Sequence, residues 1–250
     1  MPLDRSAPTP WPTAAGLSRP ALWWLLALGT TLLWDFAGAD LAFMRLIGSA
    51  HGFALRDQWL LERVLHDAVR QAATLFYLAL WVWALWPARW SPESWSALRL
   101  PRRERVAVVV LVALSLLAVN LIKNQSQTSC PWDLQAFGGR ASYVSHWSLG
   151  LVDGGSGRCF PGGHASSAFG FLGLCLPWLL PPTGAVRRQV VGQRWLFAIL
   201  LSGLVAGGVQ TLRGAHYPSH TLWTLVICGA VSLAGWRLMN HPRRAARASL

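Results

Sequence analysis

Six long apolar runs constrain the fold of this 250-residue chain more than any other feature. A helix needs about 20 apolar residues, at 1.5 Å of rise each, to cross a bilayer. The candidate runs are 21–36, 68–86, 106–122, 165–180, 195–212 and 221–238. Only 13% of the residues are charged, whereas soluble domains have roughly 25%. The sequence therefore predicts an all-α integral membrane protein built as a bundle of six transmembrane helices.

The distribution of basic residues predicts the orientation of this bundle. With the N-terminus inside, the inner segments are 1–20, 87–105, 181–194 and 237–250, and they hold 14 of the 22 Lys and Arg residues but 3 of the 10 acids. The outer segments hold the other 8 basic and 7 acidic residues. This asymmetry follows the positive-inside rule. It indicates a multi-pass protein of the bacterial inner membrane with both termini in the cytoplasm, and it explains the basic composition without nucleic acid as a partner.

The pattern divides the chain into four parts. Residues 1–20 form a polar cytoplasmic leader, and residues 239–250 form a basic cytoplasmic tail. Residues 21–104 contain two transmembrane helices, an outer amphipathic segment (residues 37–67) and a basic inner loop, and residues 105–238 contain a core of four helices. In the outer segment, apolar residues recur every three or four positions among charged ones, which predicts an amphipathic helix or helical hairpin at the interface.

Three outer segments bring basic residues and histidines to the ends of core helices. One begins at Lys123, one is "CFPGGH" ending at His164, and one is "LRGAHYPSH" containing His216. Basic side chains, glycine turns with exposed N–H groups and a helix start at Pro161 together favour an anion, and phosphate is the obvious one. A lone loop histidine is usually structural, but two beside an anion site are typical of a nucleophile paired with an acid.

These segments resemble the motifs of the type 2 phosphatidic acid phosphatase superfamily, which includes the vanadium haloperoxidases. That family shows Lys-x6-Arg-Pro, then Pro-Ser-Gly-His, then Ser-Arg-x5-His-x3-Asp. Here Lys123 is followed by six residues and then Cys130-Pro131, "PGGH" stands at 161–164, and "HYPSH" stands at 216–220. The likeness covers roughly residues 105–238.

The resemblance implies a membrane lipid phosphatase that hydrolyses a lipid phosphate monoester or diphosphate through a phosphohistidine. His216 would attack phosphorus, and His164 would protonate the departing alcohol. Lys123 would bind the phosphate together with the turn at Gly162 and Gly163. The site would face the periplasm, and no metal or other cofactor is implied.

Three positions depart from the family pattern. The arginine of the first motif is Cys130, the arginine of the third motif is Gln210, and the aspartate of the third motif is His220. Each lost arginine removes a bidentate contact to phosphate. Losing the aspartate removes the fixed negative charge that would stabilise an imidazolium.

Other residues are expected to fill these gaps. Arg213 lies three positions after Gln210, near the same face of a helix, and is expected to bind phosphate in its place. Arg158, or else Arg140, is expected to replace the other arginine. His220 is expected to orient the nucleophile as a hydrogen-bond acceptor.

Two of the four cysteines are expected to form a disulfide. Cys130 and Cys159 flank two motifs that must converge on one phosphate, and the predicted topology places both outside the membrane, where thiols oxidise. Two unpaired thiols are the alternative. Cys175 and Cys228 fall inside apolar runs, where a small apolar side chain is the ordinary interpretation.

Other functions stay open from the sequence. The three departures favour a non-catalytic, phospholipid-binding member of the same family, and a lipid phosphotransferase would use the same residues. A small-anion transporter is a further alternative, although the sequence has no inverted halves of the kind that transporters show. The expected partners are a lipid phosphate substrate and the bilayer, and the sequence does not identify protein partners.

Overall fold

The computed structural model describes residues 17–87, 99–182 and 185–240, and the chain is mostly helical. Most of the predicted leader, residues 88–98 of the basic inner loop and residues 241–250 of the predicted tail lie outside the described residues.

Eight α-helices follow one another along the described chain. They are α1 (Arg19–Phe36), α2 (Ala39–Ile47), α3 (Val69–Leu85), α4 (Arg102–Gln125), α5 (Gly163–Phe169), α6 (Leu176–Leu179), α7 (Gln189–Leu212) and α8 (Pro218–Asn240). A π-helical stretch, Leu60–Ala68, leads into α3, and a 3-10 stretch, Gly170–Cys175, joins α5 to α6. Two short 3-10 turns, Pro131–Asp133 and Gln135–Phe137, follow α4. Two strands, β1 (Gly48–Ser49) and β2 (Gly52–Phe53), form a small antiparallel hairpin.

Four helices of the described chain are long and apolar enough to cross a membrane. They are Leu60–Leu85, Arg102–Gln125, Gln189–Leu212 and Pro218–Asn240. The pair α1 and α2, bent by 77°, becomes a fifth span if it is counted as one. The predicted span 165–180 is helical but short and interrupted, because it is divided among α5, the 3-10 stretch and α6.

These three pieces form a central run, residues 163–179, around which the other helices pack. Every residue of the 3-10 stretch is buried, as are the first three residues of α6. The central run contacts α4, α7 and α8. A segment of this kind is apolar on all sides because protein surrounds it, and sequence periodicity cannot distinguish it from a lipid-facing span.

Small residues let the helices approach this core closely. A Cβ added to Gly203 of α7 would lie 2.1 Å from the ring of Phe169, and one added to Gly207 would lie 2.3 Å from the side chain of Thr221. Contacts through small residues are the usual way in which helices associate within a membrane.

The predicted outer amphipathic segment is only partly helical. It contains α2 and then the β1–β2 hairpin, so the prediction of a continuous helix or helical hairpin is wrong for residues 48–53. Its apolar residues pack with the segment after α4 and with the loop before α8, forming a second hydrophobic cluster that includes Met44, Phe53, Phe137 and Tyr217. The chain reverses at this point because Gly52 takes a positive φ of 101°.

Candidate active site

The three predicted motif segments meet at one end of the bundle. Backbone hydrogen bonds join the first segment to the second, from Arg158 N to Ser126 O at 2.8 Å and from Cys159 N to Thr128 O at 2.9 Å. Another joins the second segment to the third, from Gly162 N to the carbonyl of His220 at 3.0 Å. The amide of Gly162 is therefore already donating, and the expected phosphate contact from this residue does not come from its N–H group in this arrangement.

A disulfide links the first two segments. Cys130 and Cys159 are bonded, with a Cα–Cα separation of 5.2 Å, so the structure pairs the cysteines that the sequence indicated. Cys175 and Cys228 are free and buried, as expected for small apolar side chains.

The two candidate catalytic histidines lie side by side. Half-buried His164 is the second residue of α5, and buried His216 lies in the loop between α7 and α8. Their ring centroids are 6.2 Å apart. The second and third motifs therefore place their histidines next to each other.

A helix C-cap fixes the loop that carries His216. Gly214, with a φ of 75°, follows α7, and its N–H donates to Thr211 O at 2.9 Å. The next N–H, of Ala215, donates to Gln210 O at 2.8 Å, which completes a Schellman motif. The chain thus turns sharply at Gly214, and this turn places His216, two residues later, beside His164.

The disulfide also touches the candidate nucleophile. Sγ of Cys159 lies 3.4 Å from Nδ1 of His216. A disulfide sulfur carries no hydrogen, so a hydrogen bond here requires the proton on Nδ1. The lone pair then belongs to Nε2.

Lys123 reaches the start of the central run from the last turn of α4. Its Cδ and Cε atoms lie 3.7 Å, and its Nζ atom 3.9 Å, from the position that a Cβ on Gly163 would occupy. The ammonium group is therefore next to the first turn of α5, beside His164.

Arg213 is buried, and the Nε–Nη2 edge of its guanidinium group faces the outer segment. Its Nε donates to the carbonyl of Arg56 at 2.8 Å, and its Nη2 lies 3.9 Å from a carboxylate oxygen of Glu62. Arg158 and Arg140 are exposed, and the backbone of Arg158 has a positive φ of 56°.

His220 is completely buried in the first turn of α8, and its ring centroid is 5.8 Å from that of His216. A backbone group of Cys159 lies nearby. Among the described residues, neither ring nitrogen of His220 has a hydrogen-bond partner of ordinary geometry. The expected hydrogen bond from His216 to His220 is thus not formed, and the sulfur of Cys159 stands beside Nδ1 of His216 instead.

Two carboxylates that sequence reasoning did not assign to the site lie behind these histidines. Asp35, in the last turn of α1, pairs with His146 at 3.2 Å. Asp40 of α2 accepts from the backbone N–H of Ser219 at 3.0 Å and also from its hydroxyl, so it caps the first turn of α8. The sequence signal that could have found them is their position, because Asp35 ends the apolar run 21–36 and Asp40 precedes the apolar residues of α2. Ionisable residues next to membrane segments are often functional.

Burial affects the ionisation of the groups in the loops around the site. It lowers the pKa of His146 below its ordinary value, while the carboxylates of Asp35 and Asp40 act in the opposite direction. Burial likewise raises the pKa of Tyr217, the residue after His216, far above its ordinary value. Both side chains are therefore neutral near pH 7.

Two groups of side chains have the spacing of metal ligands within the described chain. The first is Cys130, Cys159 and His216, but its sulfurs are joined to each other and offer no thiolate. The second is Asp35, Asp40 and His146, whose two carboxylates already accept hydrogen bonds from nearby N–H and O–H groups.

One of the comparisons with known proteins identifies a family for this chain. The family model described as PAP2 superfamily matches residues 104–244, which is more than half of the chain and includes all three motif segments. No curated protein and no solved structure matches the chain.

Proposed function

We propose, because the chain belongs to the PAP2 superfamily, that the site formed by His164, His216 and Lys123 (the histidine pocket) hydrolyses a lipid phosphate through a phosphohistidine. Membership of this superfamily supports a phosphatase-type enzyme that acts on phosphate esters. The observation that carries the proposal is the pair of rings, His164 and His216, 6.2 Å apart beside the side chain of Lys123.

In the proposed first step, Nε2 of His216 attacks phosphorus as the P–O bond to the alcohol breaks. His164, in its protonated form, gives its proton to the departing oxygen. Water then attacks phosphorus, the P–N bond breaks, and His164 takes a proton from that water. Because Nδ1 of His216 faces the sulfur of Cys159, the imidazole is held with its Nε2 available in each cycle.

Three basic residues are proposed to bind the phosphate oxygens. Lys123 lies beside the first turn of α5, next to Gly163, and would stabilise the charge that develops in the transition state. Arg158 would approach from the exposed side. The Nε–Nη2 edge of Arg213 faces Arg56 and Glu62, so we assign its phosphate contact to Nη1.

An amphiphilic substrate is proposed from the position of the pocket. The pocket lies at the ends of long apolar helices, so a lipid could present its phosphate to the histidines while its tail stays in the hydrocarbon layer. We further propose the periplasmic face of the inner membrane as its location, on the arginine distribution alone.

A non-catalytic lipid-binding role is the second candidate. It is favoured by the absence of the family residues at Cys130, Gln210 and His220. Catalysis is the better supported of the two, because the nucleophile, the acid and the lysine are all present and converge.

The decisive experiment measures phosphate release from lipid phosphate monoesters and diphosphates by the purified protein in lipid nanodiscs. We expect His216→Ala to abolish turnover and His164→Ala to lower kcat by about 100- to 10,000-fold. The exposed histidine His51 provides the matched control, and His51→Ala should match the wild type.

The intermediate can be trapped with a lipid labelled in its phosphate. His164→Ala should accumulate label that is lost in acid and kept in base, as for a phosphoramidate. Wild-type turnover by His216→Ala would refute the mechanism. Binding of the lipids without any release of phosphate would favour the non-catalytic role.

A further inference from the structure

Asp35 is one of the buried carboxylates that the proposed mechanism does not use. Oδ2 of Asp35 accepts three hydrogen bonds, from His146 Nε2 at 3.2 Å, Trp147 Nε1 at 3.0 Å and Trp223 Nε1 at 2.6 Å. The side chains of Asp35 and His146 are each only 6% exposed. The donors come from the loop after α4 and from α8, and Asp35 comes from α1, so three distant parts of the chain meet at one oxygen.

His146 connects this carboxylate to the histidine pocket. Its ring stacks on Phe160, one residue before the "PGGH" turn, with centroids 4.2 Å apart and planes 5° apart. Its ring centroid is also 5.7 Å from that of His220, which is 5.8 Å from that of His216. A continuous series of aromatic contacts therefore leads from Asp35 to the candidate nucleophile.

We propose that Asp35 and His146 are positioning residues that supply the negative charge missing from the third motif. The family aspartate, four residues after the nucleophile, is replaced here by His220, which has no fixed charge. A carboxylate held behind an imidazole stabilises a neighbouring imidazolium. This inference rests on the proposed function of the pocket, and neither residue touches the substrate.

The charge of Asp35 is not cancelled by its partner. Near pH 7 buried His146 is neutral and donates its Nε2 proton, so the pair keeps a net negative charge. Two other charged groups act on the imidazoles of this series. Asp40 adds negative charge near His146, and Lys123 adds positive charge near His220. Removing the charge of Asp35 should therefore disfavour the protonated forms of the pocket histidines.

The experiment compares Asp35→Asn with Asp57→Asn, which removes the same charge from an exposed position. The first readout is the pH dependence of phosphate release. The second is the pH dependence of thermal stabilisation by inorganic phosphate, which does not need catalysis. For Asp35→Asn we expect both profiles to move to lower pH by roughly 0.5 to 1 unit, and for Asp57→Asn we expect no movement.

A second variant, His146→Gln, distinguishes a positioning role from a loss of folding. His146→Gln keeps an N–H donor for Asp35 but removes the ring that lies against His220, and it should move both profiles in the same direction by a smaller amount. Reduced rates or lower melting temperatures in Asp35→Asn and His146→Gln, with unmoved profiles, would mean a purely structural role and would overturn the inference.

The two proposals can fail separately. If the wild type releases no phosphate from any lipid while the phosphate-binding profile of Asp35→Asn still moves, the positioning role stands and the catalytic function falls. If the wild type is active and the profiles of Asp35→Asn and His146→Gln match it, the positioning role falls and the catalytic function stands.

Discussion

The disulfide between Cys130 and Cys159 gives a prediction whose magnitude can be worked out. The double substitution Cys130→Ser, Cys159→Ser opens a loop whose ends are separated by 29 residues. In the chain-entropy model, closing a loop of about 30 residues removes about 3.6 kcal/mol from the stability of the unfolded state. At 2–4 °C per kcal/mol for a chain of this size, the melting temperature would fall by roughly 7–14 °C.

Two features of the protein make the lower part of this range the better expectation. The long apolar helix α4 should stay in the micelle or bilayer when tertiary packing is lost, so one end of the loop is confined even without the disulfide. In the native state, the buried carboxylate of Asp153 accepts from the backbone N–H of Ser129 at 2.6 Å and from its hydroxyl at 2.7 Å. We therefore expect a fall of about 7–10 °C and a folded variant that can be assayed.

The assay is thermal unfolding followed by tryptophan fluorescence in detergent, together with phosphate release. The variant Cys175→Ala, Cys228→Ala keeps the disulfide and reports the cost of losing two buried sulfurs. Turnover of the serine variant should fall by about 2- to 12-fold, because Nδ1 of His216 loses its sulfur neighbour at 3.4 Å, a contact of about 0.5–1.5 kcal/mol. A melting temperature within 2 °C of the wild type, with unchanged turnover, would refute the reasoning.

Three further predictions concern single residues. Lys123→Ala should lower kcat/KM by about 30- to 1,000-fold, since a charge-assisted contact of about 2–4 kcal/mol is lost from the transition state; steady-state kinetics on a lipid phosphate checks this. Gly203→Ala should lower the melting temperature, because its Cβ would lie 2.1 Å from Phe169 and overpacking costs about 1–3 kcal/mol. Gly208→Ala is its control, since nothing lies within 4 Å of a Cβ there. Arg213→Ala should lower both kcat/KM and the melting temperature, because it also deprives the Arg56 carbonyl of its donor; a variant that alters neither would show that this arginine serves neither purpose.

The sequence was sufficient for the local features of the site. Apolar runs predicted the long helices, and the spacing of the motifs brought Lys123, His164 and His216 to one end of the bundle. The pairing of Cys130 with Cys159 also followed from that convergence. These features depend on residues close together in the chain or fixed at helix ends, which is the kind of information that a pattern carries.

Other features depend on packing between distant segments and left no local pattern. The run 165–180 is as apolar as a lipid-facing helix, but its burial on all sides, which shortens it and allows a 3-10 stretch, depends on the helices around it. The hairpin at 48–53 interrupts an apparently helical pattern because Phe53 packs on Phe137, with ring centroids 4.9 Å apart. Asp35 and His146 are 111 residues apart in sequence, so neither residue alone indicates a pair.

The N-terminal helices also explain how the third motif can lack its aspartate. Ser219 and His220 form part of the first turn of α8. One acid contacts Ser219, another is connected to His220 through His146, and both acids lie outside the family-matched region. Asp40 holds Ser219 directly, while Asp35 lies behind His146, which contacts His220.

In the family pattern one side chain both orients the nucleophile and carries the charge. Here the two tasks are divided, because Asp40 fixes the backbone that carries His220 and Asp35 supplies the charge. Asp40→Ala removes both acceptors of Ser219 and should therefore lower the melting temperature, whereas Asp35→Asn should mainly move the pH profile.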